Sequence, residues 1–391
     1  AMQVAVPELE AALAPRVLAG RMEQDDRMEA IDGNLQRIAR HARRLVELRK
    51  RPNAEKRVAI VLFCVPPDGG AVGTAAYLDV FASLQALLER LRDEGYAVEV
   101  PASTEALLET LVNDEAGGKR TGVAIADWYP AGEYARGAPE LERVSRQWGP
   151  PPGEIDTDGV ALAIRGTVFG NVAILVQPDN GGYSDPIGLL YSADASPSHS
   201  FTALYDWIAR EFRADVILHF GTHGALEFMP GKQAGLAASD FPDALIGDTP
   251  HVYYYCMNNP AEAAIARRRS ASEIVSYLSP PVARAGLYGA LEAARDALLA
   301  AREEPADAQR LDALRAAVEA AGLDTVVPTT DCEEPGRYLE RVSRALDELE
   351  QTLIPLGLHV LGRGIAPSEA IDILSAACEL SLIHISEPTR L

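Results

Sequence analysis

Cysteine is scarce. Cys64, Cys256, Cys332 and Cys378 are the four in 391 residues, and no two form a CxxC pair. That spacing excludes a disulfide framework and a thiolate zinc site. It fits a reducing cytosol, so a cytoplasmic location is expected. No apolar run approaches the roughly 20 residues needed to cross a bilayer, and no transmembrane segment is expected. The opening AMQVAVPELE lacks the charged start and apolar core of a signal peptide. Positive charge is short: 36 basic residues against 57 acidic ones leave a net charge of −21. Phosphate neutralisation needs a basic face, so nucleic acid is excluded as a generic partner. A phosphate loop is missing too. Six residues, not four, separate Gly224 from Gly231, and Gln233 follows Lys232 where Ser or Thr is required. The GGKR at 117–120 fails the same test, so the chain has no recognisable ATP-hydrolysing site of its own.

What is present is a foldable chain. With 48% hydrophobic and 24% charged residues it can bury a sizeable core, which excludes a disordered polymer. At about 100–200 residues per domain, the length corresponds to about two to three domains. The continuous apolar run 57–65 (RVAIVLFCV) reads as a buried parallel strand. A glycine-rich loop 66–74, a helix over 75–94 and a strand over 96–100 complete a βαβ unit. A helix follows at 104–113, then connecting structure with short helices over 113–159. Strands at 160–164 and 171–177 flank a GTVFG turn. A helix at 200–212, a strand at 215–220 and a strand at 251–256 come next. Beyond residue 260 the pattern is mostly helical: 262–278, 287–302, 306–321, 338–352 and 367–380. Near the start, 28–50 reads as a helix with Leu35, Ile38, Ala42, Leu45 and Leu48 on its buried face. Its other face carries the basic stripe Arg37, Arg40, Arg43, Arg44 and Arg49, expected to be solvated.

The expected class is α/β: a mainly parallel sheet flanked by helices, with a largely helical C-terminal part. The expected segments are a helical 1–50, an α/β subdomain 51–160, a second α/β subdomain 161–300, a helical 301–380, and 381–391. The last, SLIHISEPTRL, follows a helical pattern that stops without a cap. It reads as a non-native tail and is set aside.

Chemistry concentrates in 219–232, HFGTHGALEFMPGK. A buried strand ends here, and α/β sheets place their functional crevice at the carboxyl ends of strands. His219, His223 and Glu227 would share one helical face. Gly221, Thr222 and Gly224 argue instead for a loop that folds back. Two imidazoles and a carboxylate can bind a metal or move protons.

This segment resembles the large H subunit of magnesium chelatase, a family that shares a superfamily with the cobaltochelatase large subunit. The likeness extends through 241–281 (FPDALIGDTPHVYYYCMNNPAEAAIARRRSASEIVSYLSPP), 51–84, 170–178, 184–186, 196–201 (SPSHSF) and 353–362 (LIPLGLHVLG). The chain is much shorter than those subunits and resembles a central fragment, expected to be inactive alone. Cobaltochelatase relatives usually carry Lys at Thr222 and Trp-Leu at Phe228-Met229, so the magnesium branch is favoured. The resemblance implies a porphyrin-binding catalytic subunit that inserts Mg²⁺ into protoporphyrin IX in (bacterio)chlorophyll synthesis. ATP would be hydrolysed by separate AAA+ partner subunits. On that reading Glu227 is the base and metal ligand, and His219 and His223 relay protons or orient it. The expected substrate contacts are His199, Phe228, Met229, Tyr254, Arg268 and, in the glycine-rich loop, Asp68. His359, in an apolar run, is expected to be structural. Two alternatives stand beside this reading: a cobaltochelatase subunit acting on a corrin, and a non-catalytic porphyrin carrier or sensor.

Overall fold

The structure, a computed structural model, describes residues 4, 6–7, 15–21, 27–64, 71–112, 122–181, 189, 192, 195–280, 282–284, 289–324, 326–328, 334–351, 353–355, 358–371 and 373–374. Asp68 and the tail 381–391 lie outside the described residues. The chain divides into two units, Ala1–Ser279 with Leu358–Arg363, and Pro280–Gly357 with Gly364–Leu391.

Besides a short antiparallel pair, Ala19–Arg21 with Met28–Ala30, where the start of the expected helix 28–50 is strand, the first unit is built on a sheet of seven strands: β1 (Val58–Leu62), β2 (Ile125–Pro130), β3 (Ala161–Phe169), β4 (Val172–Val176), β5 (Val216–Phe220), β6 (His251–Cys256) and β7 (Glu273–Tyr277). They form one sheet in the order β2-β3-β4-β1-β5-β6-β7, drawing strands from both 51–160 and 161–300. The five strands running from β4 to β7 in that order are mutually parallel, and β2 and β3 add an antiparallel edge. β1 is central and buried at every position, the condition under which a strand needs apolar side chains on both faces.

The helices of this unit are α1 (Asp32–Lys50), α2 (Val80–Asp93), α3 (Thr104–Leu111), α4 (Ala131–Gly137), α5 (Leu141–Trp148), α6 (His199–Arg210), α7 (Phe241–Ile246) and α8 (Pro260–Ser270). They cover both faces of the sheet. On one, Leu84 and Leu88 of α2 and Leu107 and Leu111 of α3 pack on Ile60, Leu62, Ile174, Phe220 and Tyr254. On the other, Phe201, Leu204 and Ile208 of α6 and Phe241 of α7 pack on Val61, Leu175 and Ile217. Side-chain caps start three of them: Asp79 accepts from Ala82 N, Ser103 from Ala106 N and Ser198 from Phe201 N. The second unit packs α9 (Ala290–Glu303), α10 (Ala308–Ala320) and α11 (Pro335–Gln351) around Leu298, Leu314, Val342 and Leu346. A short antiparallel pair, Val282–Arg284 with Leu353–Pro355, accompanies them. No described helix is long and apolar enough to cross a membrane.

Several elements depart from the sequence reading. Residues 96–100 form no strand; Ala97 O only accepts from Asn171 N at 2.7 Å, and the next strand, β2, lies within the expected connecting region. The expected GTVFG turn is mostly strand, because β3 runs on to Phe169. Gly166 is needed there: at φ 133° a Cβ would lie 2.2 Å from Ile174 O across the β3–β4 pair. The expected helix 262–278 ends at Ser270. Ala271 takes a left-handed conformation, and the chain turns into edge strand β7.

Helix α1 is rotated from the expected orientation: Ile38 and Leu48 stay half-buried and Arg40, Arg43 and Arg49 are exposed, but Arg37 is not. Leu35 and Leu45 are 45% and 43% exposed, whereas Asn34 and Arg37 are buried at 9% and 6%. Part of the basic stripe therefore faces inward. Arg37 pairs with Asp243 at 2.8 Å and donates to the carbonyls of Asp243 and Gly247, and Arg40 pairs with Asp248.

Candidate active site

The sheet topology chooses the place. After β1 the chain leaves toward β2 on one side; after β4 it crosses to β5 on the other. The carboxyl ends of β1 and β5 therefore border a topological switch point, where α/β sheets open a crevice. The two loops meet there. The Phe63 and His223 rings lie 4.4 Å apart, and Thr222 Oγ1 accepts from Ala76 N at 2.6 Å.

Parallel register sorts the side chains by face. His219 pairs with Tyr253, and Phe220 with Tyr254. His219 and Tyr253 thus share the α6 face, where their rings stack at 4.4 Å and 16°. Tyr205 of α6 brings its hydroxyl 3.1 Å from His219 Nε2. Phe220 and Tyr254 face α2. There the Tyr254 hydroxyl meets His359 Nε2 at 3.0 Å, and His359 stacks on Tyr277.

The loop after β5 folds back through bends, as its glycines require, into a single turn at Leu226–Phe228. This brings Glu227 inside, fully buried, under Tyr253. The Tyr253 hydroxyl donates to Oε2 at 2.6 Å, and Gly224 N donates to Oε1 at 3.1 Å. Gly224 has to be glycine, since a Cβ would lie 2.2 Å from the Tyr253 ring. Burial raises the carboxyl above its ordinary range, opposed by the Tyr253 hydrogen bond and by His223. His223 is the more accessible neighbour. Its ring rests between Phe63 and Phe228, its Nδ1 lies 2.6 Å from Gly224 O, and its Nε2 lies 4.0 Å from Glu262. His219 differs: burial drops it to about 3, so the imidazole is neutral at physiological pH.

Of the residues singled out from sequence, Glu227, His223, Phe228 and His219 converge. Four others do not join them. His199 is buried at the start of α6, its nitrogens engaged by the Tyr134 hydroxyl at 3.0 Å and Gly149 O at 2.9 Å. Met229 is a core residue beside Leu226 and Phe241. Tyr254 faces the opposite side of the sheet. Arg268 lines a small cavity with Arg16, Arg37 and Asp243. Their sequence neighbours Tyr253 and Arg269 do contact the site: Tyr253 bonds the Glu227 carboxylate, and Arg269 bonds main-chain carbonyls of its loop. Selecting Tyr253 requires the β5–β6 register, which pairs it with His219, and nothing in the run Arg267-Arg268-Arg269 distinguishes the buried member. Among the described residues no three His, Cys, Asp or Glu side chains converge as a metal cage.

A family model described as CobN/Magnesium Chelatase matches residues 1–388. The chain belongs to the CobN/magnesium chelatase family. Within that family, the chloroplastic magnesium-chelatase ChlH of Oryza sativa subsp. indica is 39% identical over 386 residues, 96% of this chain and 28% of that protein. The magnesium-chelatase H protein of Cereibacter sphaeroides is 39% identical over 97% of this chain and 33% of its own length. The aerobic cobaltochelatase CobN of Pseudomonas aeruginosa is 33% identical over 96% and 32%. The solved "Catalytic Subunit of Cobaltochelatase from Mycobacterium tuberculosis" superposes with a TM-score of 0.74 at 31% identity, covering 95% of this chain and 33% of that one. The chain thus spans about a third of the length of the CobN/magnesium chelatase relatives it matches.

Proposed function

We propose that this chain carries the metal-insertion site of a magnesium chelatase large subunit, which places Mg²⁺ in protoporphyrin IX in (bacterio)chlorophyll synthesis. ATP is hydrolysed by separate AAA+ partner subunits, in keeping with the lack of a phosphate loop in this sequence, and the cysteine usage favours a cytoplasmic setting. The magnesium branch is supported by 39% identity against 33% for the cobaltochelatase, and by Thr222, Phe228 and Met229.

One observation carries the reading: a fully buried carboxyl, Glu227, held by two donors at the switch point of a parallel sheet. Insertion displaces two pyrrole protons and strips water from the ion. A carboxylate whose proton affinity is raised by burial is suited to take such a proton. Its oxygen also suits a hard cation that dehydrates reluctantly, so Glu227 serves as a transient ligand to the substrate ion. Tyr253 and Gly224 fix its orientation. His223, which acts electrostatically on Glu227 and lies 4.0 Å from Glu262, passes the proton outward. His219 acts by stacking on Tyr253, since its low proton affinity unsuits it to a relay. Phe228 and Phe63 offer the apolar wall for the macrocycle.

The test is Glu227→Gln in the complete subunit with its ATPase partners. Insertion should fall by ~10²-fold or more while porphyrin binding stays within a few-fold, the scale of losing a positioned base. Insertion at the wild-type rate would make Glu227 structural. Cobalt insertion into a corrin with no magnesium insertion would move the chain to the other branch.

A further inference from the structure

A buried cation beside the site grips main chain. Arg269, at the end of α8, is 1% exposed. Its guanidinium donates to three carbonyls of one loop: Nη1 to Glu227 O at 2.5 Å, Nη2 to Met229 O at 2.8 Å and Nε to Lys232 O at 3.1 Å. The loop therefore wraps the planar fork. The same loop is held on its amide side by an anion: Asp240 accepts from Lys232 N at 3.3 Å and from Ala237 N at 2.6 Å. Gly231 permits this approach, since a Cβ there would lie 2.8 Å from Asp240 Cβ.

We propose that Arg269 is a positioning residue for Glu227, clamping the main chain of 227–232 so that the carboxylate stays beneath Tyr253. The proposal rests on the reading of Glu227 given above. Its logic is geometric. The Glu227 carbonyl and carboxylate belong to one residue; Arg269 holds the first, and Gly224 and Tyr253 hold the second. Fixing both ends leaves the side chain no room to swing. Lysine cannot replace this grip, because one ammonium does not reproduce a planar fork with three donors in fixed directions.

The experiment is a double-mutant cycle in the complete subunit with its ATPase partners, assayed by Mg²⁺ insertion. Arg269→Lys should lower kcat at least about tenfold, with the KM for porphyrin within twofold, since misplacing a reacting group costs turnover. In a Glu227→Gln background the same change should cost nothing further, because a residue acting through Glu227 has nothing left to act on. Full loss in both backgrounds, or a raised KM with kcat intact, would overturn the proposal and leave the role of Glu227 standing. Wild-type insertion by Glu227→Gln alone would sink the reading of the site, and the Arg269 proposal with it. Arg269→Gln, which keeps an amide donor, is run in parallel. If neither Arg269 variant folds, Arg269 is a general stability element and the proposal fails.

Discussion

At the residue scale, Glu227 and Tyr253 form one working pair. The 2.6 Å hydrogen bond is the strongest restraint on the buried carboxylate, and it holds the carboxyl's proton affinity below what burial alone would impose. Tyr253→Phe removes that donor without changing shape, so the carboxyl moves further up and less of it is ionised at neutral pH. Insertion should fall about tenfold at pH 7, the worth of a hydrogen bond to a charged group. The deficit should narrow as pH rises and ionisation recovers. A rate ratio independent of pH would mean the hydroxyl only packs. This pair was half legible in the sequence. Glu227 stands out because it follows glycines after a buried strand. The tyrosine that holds it depends on the register between β5 and β6, a non-local fact, and Tyr253, Tyr254 and Tyr255 look alike in one dimension.

At the element scale, α1 shows why periodicity identifies a helix but not its orientation. Its apolar repeat is real, yet the docking surface offered by α7 and the turn after it is acidic, so Arg37 turns inward and Leu45 outward. Arg37→Ala should destabilise the first unit by about 3 kcal/mol, because it strips a partner from the buried Asp243. Leu45→Lys should change stability by no more than about 0.5 kcal/mol. Chemical denaturation of both variants decides. If Leu45→Lys proves the more damaging, the apolar face is the buried one. The central strands were readable because β1, β4 and β5 are fully or largely apolar runs. β2 and β7 were not. They are edge strands with exposed members such as Trp128 and Val275, and Ala271, not a glycine or proline, ends α8 before β7.

At the scale of the whole molecule, the sheet face that supports Glu227 is also a store of uncharged imidazole. His219, at about 3, and His251, well below its ordinary value, are both depressed by burial. The unfolded chain binds protons at these histidines below about pH 6.5, while the folded chain refuses them. The unfolded state then holds more protons, and stability falls as pH drops through that value. Each histidine contributes about 1.4 kcal/mol of loss by pH 5.5. Urea midpoints at pH 7.5 and 5.5 should show this, and His251→Gln should flatten the slope by about one histidine's share. An unchanged slope would mean His251 is protonated in the fold. A different consequence follows from the return of Leu358–Arg363 to the first unit, where His359 N donates to Tyr77 O and its ring lies on Tyr277. Tyr277 and His359 are neighbours in space though most of the chain between them belongs to the second unit. In the language of gene architecture, that intervening stretch is an insert with adjoining ends. A lineage could lengthen or exchange it through those ends without disturbing the frame that holds Glu227.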